Sequence, residues 1–237
     1  MRRFFVSSLP TAQSPLCFLN KEESRHMFRV VKIAKGEEVV LFNGKGQSCV
    51  AILQGTKAQQ AQMLWQHDLG EETAGVELWL YLCLLKQQAW STALRMATEL
   101  GVSHIVPVLS TRSINRKEKP ERWQSIILAA TKQCGRATIP TLHPMLSFAK
   151  ACTTKTIKQR HLLSPGEDQQ ELSSIREDTI LCIGPEGGFT EQEILLAIQE
   201  DWNICGIQSA VLRADTAVAV SVSLLLLASS HSSIATE

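Results

Sequence analysis

A glycine-rich turn is the stretch of this chain best suited to chemistry. It reads Gly184-Pro-Glu-Gly-Gly188 and lies between an apolar run at residues 180–183 and a helical pattern that begins after Thr190. Glycine lets a ligand approach the main chain closely, and open α/β sheets bind small molecules at the carboxyl ends of their strands. The spacing matches neither dinucleotide-binding nor phosphate-binding loops. The turn therefore predicts a ligand site of another kind, with an ordinary strand-to-helix turn as the alternative.

Two charged residues, Arg213 and Asp215, directly precede a strongly apolar stretch. Asp215 is placed to cap a helix predicted at residues 216–230, with Thr216 in its first turn. A simple Arg213–Asp215 pair is the alternative to a chemical role. The helix is apolar on nearly every side, so it must be covered on most sides. A sheet can cover one face and a second subunit another, which predicts a homodimer.

The distribution of charge indicates a polyanionic partner. Residues 1–70 carry nine basic and five acidic side chains, although the net charge of the whole chain is only +1. Residues 111–136 add seven basic side chains against two acidic ones. A basic module followed by a basic segment is typical of nucleic-acid binding. Solubilising surface charge is the alternative interpretation.

The apolar periodicity changes near residue 70. Before it, the pattern predicts a helix at 22–31 and strands at 38–42, 48–53 and 62–65, with a hairpin turn at Asn43-Gly44. After it, strands are predicted at 76–85, 102–109, 180–183 and 203–207, and helices at 88–100, 120–134 and after Thr190. Between 140 and 178 only a turn at 164–166 is predicted. The sequence thus predicts a small β-barrel-like domain at residues 1–72 and a parallel α/β domain at 73–237.

Several classes of protein are disfavoured by the composition. The seven cysteines are scattered without a CxxC pair, which argues against a disulfide framework or zinc site and for a cytoplasmic protein. The six histidines show no ligand spacing, so no metal is assigned. The longest apolar stretch, residues 217–228, is shorter than the roughly 18 residues that a membrane span needs. No membrane role is expected.

Six segments together resemble one family. They are Ile183-Gly-Pro-Glu-Gly-Gly-Phe189, Val211-Leu-Arg-Ala-Asp-Thr-Ala217, Gln133-Cys-Gly-Arg136, Glu99-Leu-Gly-Val102 and the opening segments Arg2-Arg-Phe-Phe5 and His26-Met-Phe-Arg-Val-Val-Lys32. Their types and order resemble the RsmE family, SPOUT-superfamily methyltransferases that act on N3 of a uridine in 16S ribosomal RNA of the small subunit. The resemblance covers nearly the whole chain.

The resemblance implies a fold, a cofactor and partners. The fold is a PUA-like β-barrel followed by a SPOUT-type α/β domain with a C-terminal trefoil knot. The cofactor is S-adenosyl-L-methionine, held by loops at 163–166, 184–188 and 206–215. The partners are 16S rRNA, as part of the small ribosomal subunit, and a second copy of the chain.

The resemblance also implies roles for individual residues. Arg213 would stabilise negative charge on a uracil oxygen, and Asp215 would orient Arg213 or accept a proton. Arg136 would hold an RNA phosphate or reach the active site of the second subunit. The expected cofactor-binding residues are Leu163, Ser164, Ile183, Gly184, Gly188, Ile207, Val211, Leu212 and Thr216. The expected RNA-binding residues are Arg2, Arg3, Arg29, Lys32 and Arg112.

At five positions the chain departs from the family pattern. Asp215 replaces the usual Glu, Gln208 and Ala210 replace Gly and Arg, Met96 stands where a basic residue is common, and Lys132 replaces Glu. The glycine loop and Arg213 are kept, so activity is expected. The alternatives are a SPOUT methyltransferase with another RNA target, such as a ribose 2′-hydroxyl or tRNA, and a non-catalytic RNA-binding assembly factor.

Overall fold

The computed structural model describes residues 1–72, 75–114, 119–165, 170–172, 174–207 and 211–226. These residues form two compact units. The first contains the described residues of 1–74 and 128–139, and the second contains those of 75–127 and 140–237. The sequence pattern predicts a single boundary between residues 72 and 73, and it does not predict that residues 128–139 belong with the first unit.

The first unit is built on a five-stranded sheet. Its strands are β1 (Arg3–Phe5), β2 (Leu16–Phe18), β3 (Glu38–Phe42), β4 (Ser48–Lys57) and β5 (Gln60–Leu69), in the order β1-β3-β4-β5-β2. β1 and β3 are parallel, and the other neighbours are antiparallel. The predicted helix at 22–31 consists of α1 (Lys21–Arg25), capped by the Asn20 side chain, and a π-helical turn at His26–Val31.

The segment Leu128–Ile139 belongs to the first unit through polar contacts. Lys132 forms an ion pair with Glu23, whose side chain is only 5% exposed. The backbone N–H groups of Ala137 and Thr138 donate to Glu72 Oε2 at 3.1 and 2.7 Å. Charged side chains that pair at long sequence separation leave no periodic signal, which explains why the sequence pattern does not predict this packing.

The second unit is a parallel sheet with helices. Its strands are β6 (Leu78–Cys83), β7 (His104–Leu109), β8 (Thr141–Leu142), β9 (Leu146–Ser147), β10 (Gln159–Leu163), β11 (Gln170–Glu171), β12 (Thr179–Ile183) and β13 (Asn203–Gly206). Its helices are α2 (Gln87–Glu99), α3 (Pro120–Cys134, whose last residues belong to the first unit), α4 (Phe148–Cys152), α5 (Glu191–Gln199) and α6 (Ala214–Leu226). The strand order is β11-β13-β10-β12-β6-β7-β8, with β9 beside β7, and every pairing is parallel.

Strand β10 is an element that the sequence analysis did not predict, although it lies between β12 and β13. Its first residues are polar, and a buried parallel strand is normally a continuous apolar run. Arg160 is only 6% exposed; its guanidinium lies over the Trp202 ring, 5.9 Å from the centroid, and donates to the Thr154 carbonyl at 3.1 Å. An aromatic ring and a carbonyl thus allow a charged residue to occupy a core position.

The predictions for β12 and α5 are confirmed. All five residues of β12 are buried, as expected for a strand covered on both faces. Helix α5 begins with the predicted capping box, in which Thr190 Oγ1 accepts from the Glu193 N–H and Glu193 Oε2 accepts from the Thr190 N–H. The box fixes where the glycine loop ends and the helix starts.

Helix α6 starts two residues earlier than predicted, at Ala214, so Asp215 lies in its first turn. The Arg213 carbonyl accepts the first helical hydrogen bond, from the Ala217 N–H at 2.8 Å. The predicted end at residues 227–230 lies outside the described residues. In the described part of the chain, no helix is both long enough and apolar enough to cross a membrane.

Candidate functional site

Three neighbouring strands of the second unit end beside one cavity. β13, β10 and β12 are adjacent and parallel, so their carboxyl ends meet at one edge of the sheet, where α/β sheets bind ligands. The cavity has a volume of about 500 Å³, within the range of small-molecule sites. Its lining residues are Leu163, Ser164, Pro165, Ile183, Gly184, Pro185, Glu186, Gly187, Gly188, Phe189, Gly206, Ile207, Val211, Leu212, Arg213, Ala214 and Ala217.

The glycine-rich turn at Gly184–Gly188, the glycine loop, forms one wall of the cavity. It needs glycine at two positions for different reasons. Gly188 has φ +67°, and an added Cβ would meet no protein atom within 4 Å, so the space beside it is open to a ligand. At Gly184 an added Cβ would stand 3.0 Å from the Phe189 ring. The ring therefore packs directly on the main chain and turns the loop back toward the core, where Phe189 also meets Phe148.

Arg213 lines the same cavity, and Asp215, which does not line it, pairs with Arg213. The Arg213 side chain is 78% exposed, and its Nε lies 3.6 Å from Asp215 Oδ1. Asp215, 16% exposed at its side chain, also accepts from the Thr216 N–H at 3.1 Å. Its negative charge in the first turn of α6 is favoured by the helix dipole. The Arg213 guanidinium is thus exposed to solvent beside the cavity, and the Asp215 carboxylate contacts it at Nε.

Eight of the nine residues expected to bind cofactor line the cavity. The exception is Thr216, which is exposed on α6. Pro165 and Gly206 line the cavity from two of the predicted loops, whereas Phe189 and Ala217 line it from outside all three predicted loops. The signal for Phe189 was present in the motif, because an aromatic ring can pack directly on the main chain of Gly184 only where a side chain is missing.

The residues expected to bind RNA lie in different environments. Arg2, Arg29 and Lys32 are exposed in the first unit. Arg3 is half-buried, donates to the Arg136 carbonyl at 3.2 Å and lies over the Phe42 ring. Burial lowers the pKa of Arg3. Arg3 therefore contributes to the packing of the first unit.

Arg136 and Arg112 also make contacts within the chain. The Arg136 guanidinium, in the first unit, donates to Thr138 Oγ1 at 3.0 Å, and burial lowers its pKa. Arg112, in the second unit, donates to the carbonyl oxygens of Gly187 at 2.8 Å and Phe189 at 3.3 Å. Binding of RNA by either residue stays a prediction.

Three of the five departures from the family pattern lie among the described residues. Lys132 pairs with Glu23, Asp215 keeps a carboxylate beside Arg213, and Met96 is half-buried on α2. Gln208 and Ala210 lie outside the described residues. Within the described ranges, no group of three or more His, Cys, Asp or Glu side chains is arranged to hold a metal ion.

Comparison with known families agrees with this architecture. Residues 72–226 match the RNA methyltransferase domain family, and residues 19–62 match the RNA methyltransferase PUA domain. The chain belongs to the RNA methyltransferase family. The matched residues include strands β6 to β13 and all the residues that line the cavity. The site therefore lies inside the family's domain.

Solved structures of the family share the fold. A ribosomal RNA small subunit methyltransferase E from Neisseria gonorrhoeae, bound to S-adenosyl methionine, is 27% identical, with 94% of this chain and 95% of that chain covered and a TM-score of 0.87. A putative methyltransferase from Legionella pneumophila, in complex with the same cofactor, is 26% identical over 93% and 95% of the two chains, with a TM-score of 0.81.

Curated relatives carry the same name. The ribosomal RNA small subunit methyltransferase E of Rickettsia conorii is 25% identical, with 97% of this chain and 96% of the relative covered. That of Synechocystis is 28% identical over 86% and 70% of the two chains. The predicted membership of the RsmE family, with a PUA-like domain followed by a SPOUT-type α/β domain, is confirmed. The trefoil knot stays a prediction.

Proposed function

We propose that this protein transfers a methyl group from S-adenosyl-L-methionine to N3 of a specific uridine in 16S ribosomal RNA. The observation that carries the proposal is the cavity at the ends of β10, β12 and β13, which lies in a domain of the RNA methyltransferase family. Relatives across nearly the whole chain are named ribosomal RNA small subunit methyltransferase E. A related structure binds S-adenosyl methionine.

The cavity fits this cofactor in size and chemistry. Its volume of about 500 Å³ suits a nucleoside-sized ligand. Main-chain groups at Gly184, Gly188 and Ile207 would bind the adenine and ribose, and Leu163, Val211 and Leu212 would pack against them. The open space beside Gly188 is what a ligand lying against the backbone requires. When bound, the cofactor supplies an electrophilic methyl group.

The role of the chain is to align the uracil ring and to favour its deprotonated form. Alignment of two reactants removes much of the entropic barrier. We assign Arg213 to the developing negative charge on a uracil oxygen, because its guanidinium is exposed at the cavity edge and fixed donors stabilise such charge. Asp215 orients Arg213. Ribosomal RNA must present the base unstacked before N3 is reachable.

RNA binding and assembly complete the proposal. The exposed Arg2, Arg29 and Lys32 would bind phosphates and make affinity salt-dependent. A homodimer would cover apolar side chains that the second unit leaves exposed, namely Val211 (83%), Leu195 (58%), Ile198 (52%) and Leu224 (38%). Sedimentation analysis would give twice the mass of the chain. A cytoplasmic location follows from the substrate.

The decisive experiment is methyl transfer from labelled S-adenosylmethionine to undermethylated small ribosomal subunits, with the modified nucleoside identified by mass spectrometry. The proposal expects 3-methyluridine. A 2′-O-methylated nucleoside, or transfer to tRNA alone, would point to another RNA target of the same enzyme class. Failure to bind the cofactor at millimolar concentration would instead indicate an RNA-binding assembly factor.

A further inference from the structure

We infer that Arg112 is a positioning residue that holds the glycine loop in its cofactor-binding conformation from outside the cavity. Glu193 in turn holds the segment that carries Arg112. The inference rests on the proposed function only in naming the ligand of the loop. The loop itself is the part of the cavity wall that needs such support, because glycines lose the most conformational freedom when they are ordered.

Arg112 contacts the loop through both its charge and its carbon chain. Its NH1 donates to the Gly187 carbonyl at 2.8 Å and to the Phe189 carbonyl at 3.3 Å. A Cβ added at Gly187 would lie 3.4 Å from both Cβ and Cδ of Arg112, so the side chain packs on the bare main chain. The two carbonyls flank Gly188, whose backbone faces open space on the cavity wall. Arg112 therefore holds the peptide unit that precedes Gly188 and the peptide unit that follows Phe189.

The buried carboxylate of Glu193 binds Thr111, the residue that precedes Arg112 in the chain. Glu193 is 7% exposed; its Oε1 accepts from the N–H and hydroxyl of Thr111 at 2.8 and 3.0 Å. Its Oε2 accepts from the N–H and hydroxyl of Thr190 at 2.9 and 3.1 Å. Burial alone would raise the pKa of Glu193, but these hydrogen bonds outweigh burial and keep the pKa below its usual value. One carboxylate thus joins the loop after β7 to the residue that starts α5.

The other side of the loop is held as well. Glu186 Oε1 accepts from the Lys86 N–H at 3.0 Å, at the start of α2, where a helix favours a negative charge. Gly188 N–H donates to the Pro185 carbonyl at 2.9 Å, which closes a turn inside the loop. Removal of the Arg112 side chain therefore frees the Gly187 and Phe189 carbonyls. The turn inside the loop and the contact between Glu186 and Lys86 remain.

The direction in which Arg112→Ala changes cofactor affinity distinguishes a positioning role from a purely electrostatic one. S-adenosylmethionine carries a net positive charge, so a nearby arginine that acted only through its charge would weaken cofactor binding. Replacing Arg112 with alanine would then tighten binding. If Arg112 acts by ordering the loop, the same replacement weakens binding, because the loop must be ordered at the moment of association.

The test compares Arg112→Ala, Arg112→Lys and the control Lys119→Ala, which removes an exposed basic side chain seven positions further along the chain. Calorimetric titration with S-adenosylmethionine, without RNA, should show at least ~10-fold weaker binding for Arg112→Ala. Arg112→Lys should restore part of the affinity, since one ammonium can reach at least one carbonyl, and Lys119→Ala should match the wild type. With RNA present, Arg112→Ala should raise KM for the cofactor more than it lowers kcat.

Hydrogen exchange of the cofactor-free proteins provides a readout that does not depend on activity. The peptide covering residues 184–190 should exchange faster in Arg112→Ala than in the wild type or Lys119→Ala. Unchanged exchange together with unchanged cofactor affinity, but weaker RNA binding, would overturn the inference and make Arg112 a phosphate ligand. If the wild type bound no cofactor, the proposed function would fail, whereas the exchange comparison would still decide the role of Arg112.

Discussion

At the scale of single residues, the side chains of Arg213 and Asp215 differ in their exposure to solvent. The Arg213 side chain is 78% exposed and the Asp215 side chain 16%, so the cation can meet a substrate while the anion is held at the start of α6. The Thr216 N–H and the Arg213 Nε both contact Asp215 Oδ1, which favours our proposal that Asp215 orients Arg213.

The first prediction concerns Arg213. Arg213→Ala should lower turnover at least ~100-fold, since loss of one fixed donor to a developing oxyanion typically costs this much. Cofactor affinity should stay the same, because the backbone groups of the cavity are unchanged. Lys155→Ala removes another exposed cation of the second unit, paired with Glu200 at 3.4 Å, and should keep full activity. Wild-type turnover in Arg213→Ala would remove Arg213 from the mechanism.

The second prediction concerns Gly188. Gly188→Leu should abolish binding of S-adenosylmethionine, because its side chain would fill the open space beside the cavity wall. The matched control is Gly36→Leu, which places a leucine at a similar positive φ, +88°, with open space around it, in the first unit. Both variants carry the same kind of backbone strain. Equal cofactor affinity of the two in a calorimetric titration would refute the placement of the ligand.

At the scale of elements, a buried ion pair joins the end of α3 to α1 within the first unit. The side chains of Lys132 and Glu23 are 17% and 5% exposed, and Glu23 also accepts from the Phe5 N–H at 3.3 Å. Lys132 stands where the resemblance expects Glu, so the departure supplies the partner that this buried carboxylate requires.

The third prediction follows from this pair. Lys132→Ala should lower the free energy of unfolding by about 3 kcal/mol, since it leaves a buried charge without its partner. The double variant Glu23→Gln with Lys132→Met removes both charges and should recover most of the loss. Urea unfolding of both variants provides the measurement. A Lys132→Ala variant within about 0.5 kcal/mol of the wild type, as expected for a surface change, would contradict the prediction.

At the scale of the whole molecule, two histidines make stability depend on pH. Burial, and then the neighbouring His104, lower the pKa of His143, and burial lowers the pKa of His161. The rings of His143 and His104 meet at 3.1 Å between Nε2 and Nδ1, and His104 also contacts Glu77. Both folded-state pKa values lie below the unfolded value of about 6.5, so at mildly acidic pH the unfolded chain binds more protons.

The fourth prediction gives the sign of this dependence. The free energy of unfolding should be level above about pH 6.5 and should fall as the pH decreases below it, because protons then favour the unfolded state. Denaturant unfolding at several pH values between about 5.5 and 7.5 would measure the slope. His143→Gln should reduce the slope. An unchanged slope in that variant would mean that His143 does not contribute.

The elements of this molecule were predictable where the signal was local. The β12 strand is a continuous apolar run, the capping box of α5 is a short motif, and α3 is recovered from Pro120 to Cys134. The sequence also identified most of the cavity wall, because glycines and small residues at strand ends have few other uses. Strand β10 was missed, since its buried Arg160 depends on Trp202, a residue 42 positions later.

The sequence by itself thus determined the family, the parallel α/β class and the loops that carry the site, because each leaves a motif or a period in neighbouring residues. Only the tertiary structure decided that residues 128–139 pack with the first unit and that Arg112 and Glu193 brace the glycine loop. These contacts join charged groups to backbone atoms far apart in the chain. A carbonyl or an N–H group is present at every residue, so sequence patterns do not show which one a side chain will find.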